Sequence, residues 1–212
     1  MVSMDHDDFA TEPLKGLPEQ LPDDERIIWQ GSPLAYQLAV DAFWFRPVAI
    51  YFTLLVLARF YFSWTQFGIE AAFVHIIPFV VAQVLCLAVL YFMAWATSRG
   101  TVYTLTNKRV VMRIGLLYTI HLNLPFVKIA NASLKKKRNG SGSVVFEILG
   151  KTTVSYFAIW PHVRPWKMRV TQPAFRSIAN AEEVAQIFAQ AAESRVSEPK
   201  VVRRANLEQA VA

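Results

Sequence analysis

The stretch YTLTNKRVVMRIG, residues 103–115, decides how this chain is read. Val110, Met112 and Ile114 alternate with Val111 and Arg113, the two-residue period of a β-strand. A second strand precedes them. Asn107 lies between, a residue that tolerates the left-handed backbone of a tight turn. The stretch is therefore a β-hairpin, with Gly115 as a bulge or turn at its end. It begins a few residues after a long apolar segment that ends at Ser98. A hairpin set directly against an oily segment is the arrangement the rest of the chain must explain.

Upstream, residues 71–98 contain no Asp, Glu, Lys or Arg, a run of 28 residues. A helix needs about 20 to cross a hydrocarbon core. Residues 47–64, PVAIYFTLLVLARFYFSW, form a second apolar run broken only by Arg59. Arg59 sits near the far end, where its stem can carry the charge to the headgroups; pairing with Glu70 or a partner helix is the alternative. Trp64 and its aromatic neighbours form an interfacial belt there, and Trp44 belongs to the opposite belt. Pro47 suits a first helical turn. Pro78 either kinks the second helix or marks its start. The link, residues 65–70, is short, so the pair forms a hairpin with both ends on one side. Arg46 and Arg99 flank that side and the link lacks Lys and Arg, which places both ends in the cytoplasm.

Downstream, residues 118–124 (YTIHLNL) alternate cleanly, and residues 127–134 form a further strand. Lys135, Lys136, Lys137 and Arg138 open a basic loop with turn chemistry at Asn139 and Gly140. Residues 144–149 and 152–160 pair as a second hairpin around Gly150 and Lys151. Pro161 and Pro165 confine the residues around and after them to an edge or a loop. Asn180 is the N-cap of a last helix, with Glu183 in capping-box position. Val184, Ile187, Phe188 and Ala191 make its apolar stripe.

Composition bounds function. The chain has 212 residues, enough for one or two domains. Residues 1–46 carry nine acidic and three basic side chains, and residues 99–212 carry six acidic and eighteen basic. An acidic head and basic tail point the tail toward anionic partners. Lys135, Lys136, Lys137 and Arg138 are the densest cluster, read as contacts to an anionic phospholipid surface or, equally, as an ordinary solvated loop. The acidic head is either a docking segment or a solvated tail. Cys86 is the single cysteine, which excludes an internal disulfide or a cysteine-built metal site. His75 has three readings: a ligand to pigment magnesium, a helix–helix hydrogen bond, or an interfacial position. His6, His121 and His162 lack a cysteine or paired carboxylate at ligand spacing, and no glycine-rich phosphate loop is present. No catalytic residue, metal, cofactor or nucleic-acid partner is expected, nor a cleaved signal peptide.

The residues carry a resemblance. The hairpin resembles the first hairpin of bacterial pleckstrin-homology (PH) domains, which open Tyr-x-Leu-Thr-Asn-x-Arg-Val. LPDDERIIWQGSP, residues 21–33, resembles the segment such proteins carry before their membrane helices. The longer start DHDDFATEPLKGLPEQLPDDERIIWQGSP, residues 5–33, is similar to the photosynthetic complex assembly proteins of purple bacteria. The resemblance implies an α+β membrane protein in which a two-helix transmembrane hairpin is followed by a PH-like antiparallel β-barrel capped by a C-terminal helix. Expected boundaries are 1–45 for an acidic cytoplasmic segment and 46–99 for two membrane helices at about 47–64 and 72–97. Residues 100–194 then form the cytoplasmic PH-like domain and 195–212 a polar tail. It further implies a non-enzymatic factor of the bacterial inner (intracytoplasmic) membrane, multi-pass with both termini cytoplasmic. Its partners would be reaction-centre and light-harvesting subunits, with homodimerisation open. The alternative is a general membrane-surface PH-like module in lipid or envelope homeostasis.

Overall fold

A strand with one apolar face must bury that face against a second layer. The computed structural model, which describes residues 16–17, 19–115, 119–150 and 154–197, builds two antiparallel sheets for this purpose. The first runs β1 (Ile27–Gly31), β2 (Val102–Thr106), β3 (Arg109–Gly115), β4 (Thr119–Pro125), in that order. The expected hairpin is β2–β3, with Tyr103 opposite Met112 and Leu105 opposite Val110. All four side chains are fully buried. β4 follows the expected alternation, with Leu124 buried and Thr119, His121 and Asn123 exposed.

The turn departs from expectation. Left-handed backbone among the described non-glycine residues falls at Trp44, Trp166, Ser177 and Asn180, not at Asn107. Asn107 acts through its side chain instead. Its carbonyl oxygen accepts from the Arg26 amide at 2.9 Å and its NH2 donates to the Asp24 carbonyl at 3.1 Å. Beside it, the buried Glu25 carboxylate accepts from Thr106 Oγ1 and Arg109 Nε, each at 2.7 Å. The turn is thereby clamped to the residues that lead into β1. Gly115 is no bulge: it ends β3 opposite Thr119, where the chain turns into β4, and it is also a contact point. A Cβ on Gly100 would lie 1.8 Å from the Gly115 carbonyl oxygen, so the end of the long helix and the end of β3 meet backbone to backbone.

β1 corrects the expected domain boundaries. It pairs with β2 across both apolar helices, from Ile27 opposite Thr106 to Gly31 opposite Tyr103. The sheet therefore starts before residue 46, and the helical pair is an insertion between its first two strands. Of the acidic head, residues 1–15 lie outside the described residues, as do 198–212 of the expected polar tail.

The second sheet runs β5 (Ile129–Lys136), β6 (Gly142–Ile148), β7 (Ala174–Ile178). The hairpin expected between 144–149 and 152–160 does not form. β6 pairs with β7 instead, Val144 opposite Phe175. Residues 154–170 carry turns and one bridge, Val163 to Pro173. Pro161 and Pro165 cannot donate to a ladder. Residues 151–153 lie outside the described residues. Nor do the sheets close into the expected barrel. A 3-10 turn (Phe126–Lys128) redirects the chain between β4 and β5, so these neighbours in sequence do not pair.

Aromatic rings join the layers. Phe175 stacks on Tyr103 at 4.6 Å and meets Phe146 edge-on at 5.0 Å; Phe146 contacts Phe188 at 5.3 Å, and Phe188 meets Phe126 at 5.4 Å. Each such pair contributes about 0.5–1.5 kcal/mol beyond its buried area. Phe188 belongs to the C-terminal helix (Ala181–Ser197), whose Val184, Phe188 and Ala191 are buried as the periodicity expects, with Ile187 at the margin. Its N-terminus differs from the expected cap. Asn180 is left-handed (φ 47°), and its link to Glu183 runs side chain to side chain at 3.3 Å.

Three helices precede that one. α1 (Ala35–Ala42) is an addition to the expected elements; it packs Leu38, Ala39 and Ala42 against Ala94. α2 (Phe45–Phe67) and α3 (Ile69–Arg99) are both long and apolar enough to cross a membrane. The C-terminal helix is accordingly α4. The expected link of 65–70 shrinks to Gly68, whose φ of +86° suits the reversal. Pro78 lies inside α3 and does not start it. The pair touches through Phe60 and Phe73 (5.3 Å) and through Gln83 Nε2 donating to Thr53 Oγ1 (3.1 Å). Leu54, Leu57, Phe62, Val81, Leu85 and Phe92 face outward, exposed.

Candidate functional site

The functional side chains gather where α1, the end of α3 and β7 meet. Asp41, on the last turn of α1, is the centre. Its carboxylate accepts from Lys137 Nζ at 2.5 Å and from Ser177 Oγ at 2.8 Å. Its carbonyl accepts from Arg176 Nη2 at 2.7 Å, and Arg176 Nη1 donates to the Pro161 carbonyl at 3.1 Å. β7 presents Arg176 and Ser177 side by side because the backbone turns left-handed at Ser177 (φ 53°). The Leu34 amide donates to the Ser177 carbonyl at 2.8 Å, fastening the start of α1 to the same strand. Burial lowers the Arg176 guanidinium from its ordinary range, and the Asp41 charge opposes that shift.

Behind this cluster runs a buried polar chain with one consistent direction. The Arg176 amide donates to the Tyr103 hydroxyl oxygen at 3.2 Å. Tyr103 Oη lies 2.5 Å from His162 Nδ1, and Thr101 Oγ1 lies 3.2 Å from His162 Nε2. Thr101 Oγ1 donates to the Thr97 carbonyl at 2.8 Å. Its proton is thus committed, so His162 Nε2–H must donate to Thr101 and His162 Nδ1 must accept from Tyr103. The imidazole is neutral in that tautomer. Burial, assisted by the nearby Arg176 charge, pushes its pKa down to about 3. Burial pushes the Tyr103 phenol up, opposed by the Arg176 amide bond and charge. The chain ties the last turn of α3 to β2 and β7.

In front lies an open cavity of about 560 Å³ lined by Asp41, Lys135, Lys137, Arg164, Arg176 and apolar side chains of β5 and β6. Four cationic groups surround one carboxylate there, so the cavity suits an anionic group. Lys137 and Arg176 are held by Asp41, and Arg164 Nη1 donates to Gln172 Oε1 at 3.1 Å.

The sequence-predicted basic cluster is divided by this geometry. Lys135 lines the cavity, Lys137 is ion-paired to Asp41, Lys136 is ion-paired to Glu182 of α4, and Arg138 is exposed in the turn. Of the predicted interfacial residues, Trp44 caps α2 with left-handed backbone and is 58% exposed, and Arg46 is exposed two residues on. Arg99 lies 5.6 Å over the Trp95 ring. Trp64 packs on Phe60 at 6.3 Å near the far end of α2. Arg59 Nε is buried with no hydrogen-bond partner among the described residues. His75 Nδ1 is hydrogen-bonded to Ser63 Oγ across the helical pair, and its ring meets Phe67 edge-on. Sequence reasoning does not single out Asp41, Tyr103, His162 and Arg176 as a site. The one available signal is an arginine set in the short, mostly apolar segment AFRSI directly after a proline.

An antiparallel sheet pair closed by a C-terminal helix, with a helical pair inserted, is a PH-like domain carried on two apolar helices. The chain belongs to the bacterial PH domain family, whose model matches residues 38–192. A relative from Rhodobacter capsulatus, described as an uncharacterized 23.7 kDa protein in the puhA 5' region, is 36% identical over 200 residues, 93% of each chain. A solved structure of a DUF1696 family protein with a pleckstrin-homology domain from Shewanella loihica PV-4 shares 10% identity. It covers 43% of this chain and 71% of its own, and its TM-score of 0.29 is too low to bear on the fold.

Proposed function

We propose that this protein is a non-enzymatic assembly factor of the PuhB type for the photosynthetic reaction centre and its light-harvesting complex, working by binding alone. The observation that carries this reading is the full-length relative encoded beside puhA. A place in a photosynthesis gene neighbourhood is what a dedicated biogenesis factor would have. α2 and α3 anchor the protein in the bacterial inner membrane and hold transmembrane subunits by close packing. Both helices are apolar all round, which suits a lipid setting. Pairing of β1 with β2 requires both ends of the helical pair to open on one side, consistent with both termini in the cytoplasm. The domain is held close to the bilayer by the Asp41 and His162 contacts and presents its cavity to an acidic segment of the client.

Deleting the gene tests this. Reaction-centre and surrounding light-harvesting absorbance should fall, while growth in the dark stays normal. A mild-detergent pull-down from photosynthetically growing cells should recover reaction-centre subunits. The cationic cavity favours one rival, a general membrane-surface module. Equal damage to dark growth and lipid composition in the deletion strain would support that rival and overturn the assembly reading.

A further inference from the structure

Residues 164–170, RPWKMRV, are all exposed, the longest such run in the described part of the PH-like domain outside its helices. Trp166 is 77% exposed, Met168 56% and Val170 58%. Large apolar side chains standing in water mark an interaction surface. Arg164, Lys167 and Arg169 alternate with them, and no acidic residue occurs between Glu147 and Glu182. The loop is not loose at its base. The Arg164 amide donates to the Gln172 carbonyl at 2.9 Å, and Val163 bridges Pro173. Its tip is therefore aimed.

The aim is toward the start of α2. The Trp166 ring meets the Trp44 ring edge-on, with centroids 6.5 Å apart, and Trp44 is the N-cap of α2. One step back, Trp160 meets Phe43 edge-on at 5.2 Å. If α2 spans the bilayer, its N-cap lies at the headgroups, and a ring touching it lies there too. Tryptophan prefers that depth, where its apolar body and N–H are both satisfied. Interleaved Lys and Arg prefer an anionic surface.

We infer that residues 164–170 form a membrane-docking loop that inserts Trp166 and Met168 into the headgroup layer of an anionic bilayer, with Lys167 and Arg169 contacting lipid phosphates. This rests on α2 and α3 spanning the membrane, but not on the identity of the client. It fixes the domain to the bilayer at a second point, beyond the helices themselves, and it places the lipid contact on residues other than the Lys135–Arg138 cluster.

The test uses full-length protein in vesicles. Cys86 is the only native cysteine and lies in α3, so a polarity-sensitive label there reports the span. In a Cys86→Ala background, Met168→Cys carries the same label on the loop, and Val127→Cys carries it on the exposed turn between β4 and β5. Both substitutions are at exposed positions and leave the core intact. In phosphatidylcholine vesicles containing phosphatidylglycerol, the Met168→Cys label should shift to the blue and be quenched by nitroxide lipids, and the Val127→Cys label should not. Omitting phosphatidylglycerol, or adding K167E and R169E, should return the loop label to its aqueous emission.

If the Cys86 label is quenched and the loop label stays aqueous in every vesicle, the docking loop is overturned while the span stands. If the Cys86 label is not quenched, the span fails and the loop proposal falls with it. Equal quenching with and without phosphatidylglycerol overturns the anionic preference. Burial of the loop label only after client protein is added would assign the loop to a protein surface and overturn the lipid one.

Discussion

Acidification should loosen this fold through one buried histidine. His162 is held neutral, accepting from Tyr103 and donating to Thr101, with its pKa down at about 3 against an ordinary 6.5. The sign comes from proton counting. Above about pH 7 the imidazole is neutral in the folded and unfolded chain alike, so it adds no pH dependence. As pH falls below the ordinary value, the unfolded chain gains a proton that the folded chain refuses, and stability drops by about 1.4 kcal/mol per unit. At pH 5 the loss is about 2 kcal/mol, and it stops growing only near the folded value. Between pH 7 and pH 5 Asp24 stays ionised, its carboxyl held below the ordinary value chiefly by its hydrogen bond to Lys108. For a chain of this size 2 kcal/mol lowers the melting temperature by about 4–8 °C.

The assay is thermal unfolding of the full-length protein in detergent, followed by near-ultraviolet circular dichroism at about pH 7 and pH 5, the window set by the ordinary histidine value. His162→Gln supplies the control. It should be less stable by about 1–3 kcal/mol at neutral pH, because a buried network loses partners. It should nevertheless lose much less than the parent between the two pH values. Identical pH dependence in the parent and the variant would refute the assignment of a neutral, proton-refusing His162.

Three further outcomes are expected from the packing. Glu25→Ala leaves Arg109 and Thr106 without their shared acceptor; it should cost about 2–3 kcal/mol and raise amide exchange across β1 first, by mass spectrometry. Gly100→Ala and Gly68→Ala should separate sharply. The first drives a Cβ into the Gly115 carbonyl and should cost more than about 3 kcal/mol. The second meets only backbone strain in open space and should cost about 1–2 kcal/mol, both read as melting shifts. Asp41→Ala removes the acceptor of the buried Ser177 hydroxyl and the charge partner of Lys137, which keeps only Gln37; a loss of about 1–3 kcal/mol, with protease sensitivity appearing between α1 and β7, is the expected result.

Much of this architecture is legible in the sequence because its apolar periods are long and regular. The β2–β3 hairpin, β4, the stripe of α4 and the two apolar helices each repeat a period often enough to be read. β1 is five residues, IIWQG, with no alternation, and its partner lies beyond both helices. β7 is hidden because all five of its side chains are buried, Arg176 included, so it shows no polar face. The tempting substitute, residues 152–160, alternates well but runs into Pro161. The site escapes for a related reason. Its residues, Asp41, Tyr103, His162 and Arg176, come from four separate segments, and only tertiary contact brings them together. The basic cluster is visible, but its division among Asp41, Glu182 and the cavity depends on how α1 and α4 pack.

The insertion of the helical pair between the first two strands also dictates an order of events during synthesis. β1 leaves the ribosome roughly 70 residues before its partner, a wait of roughly 4–15 s at ordinary elongation rates. Throughout it, Ile27, Ile28 and Trp29 have no sheet to join. Only when both helices have emerged and returned the chain to its starting side can Tyr103 reach Gly31 and the aromatic centre assemble. A nascent chain whose helical pair fails to bring its two ends together thus keeps Trp29 bare, away from β2 and from the Phe175 ring it meets in the finished molecule.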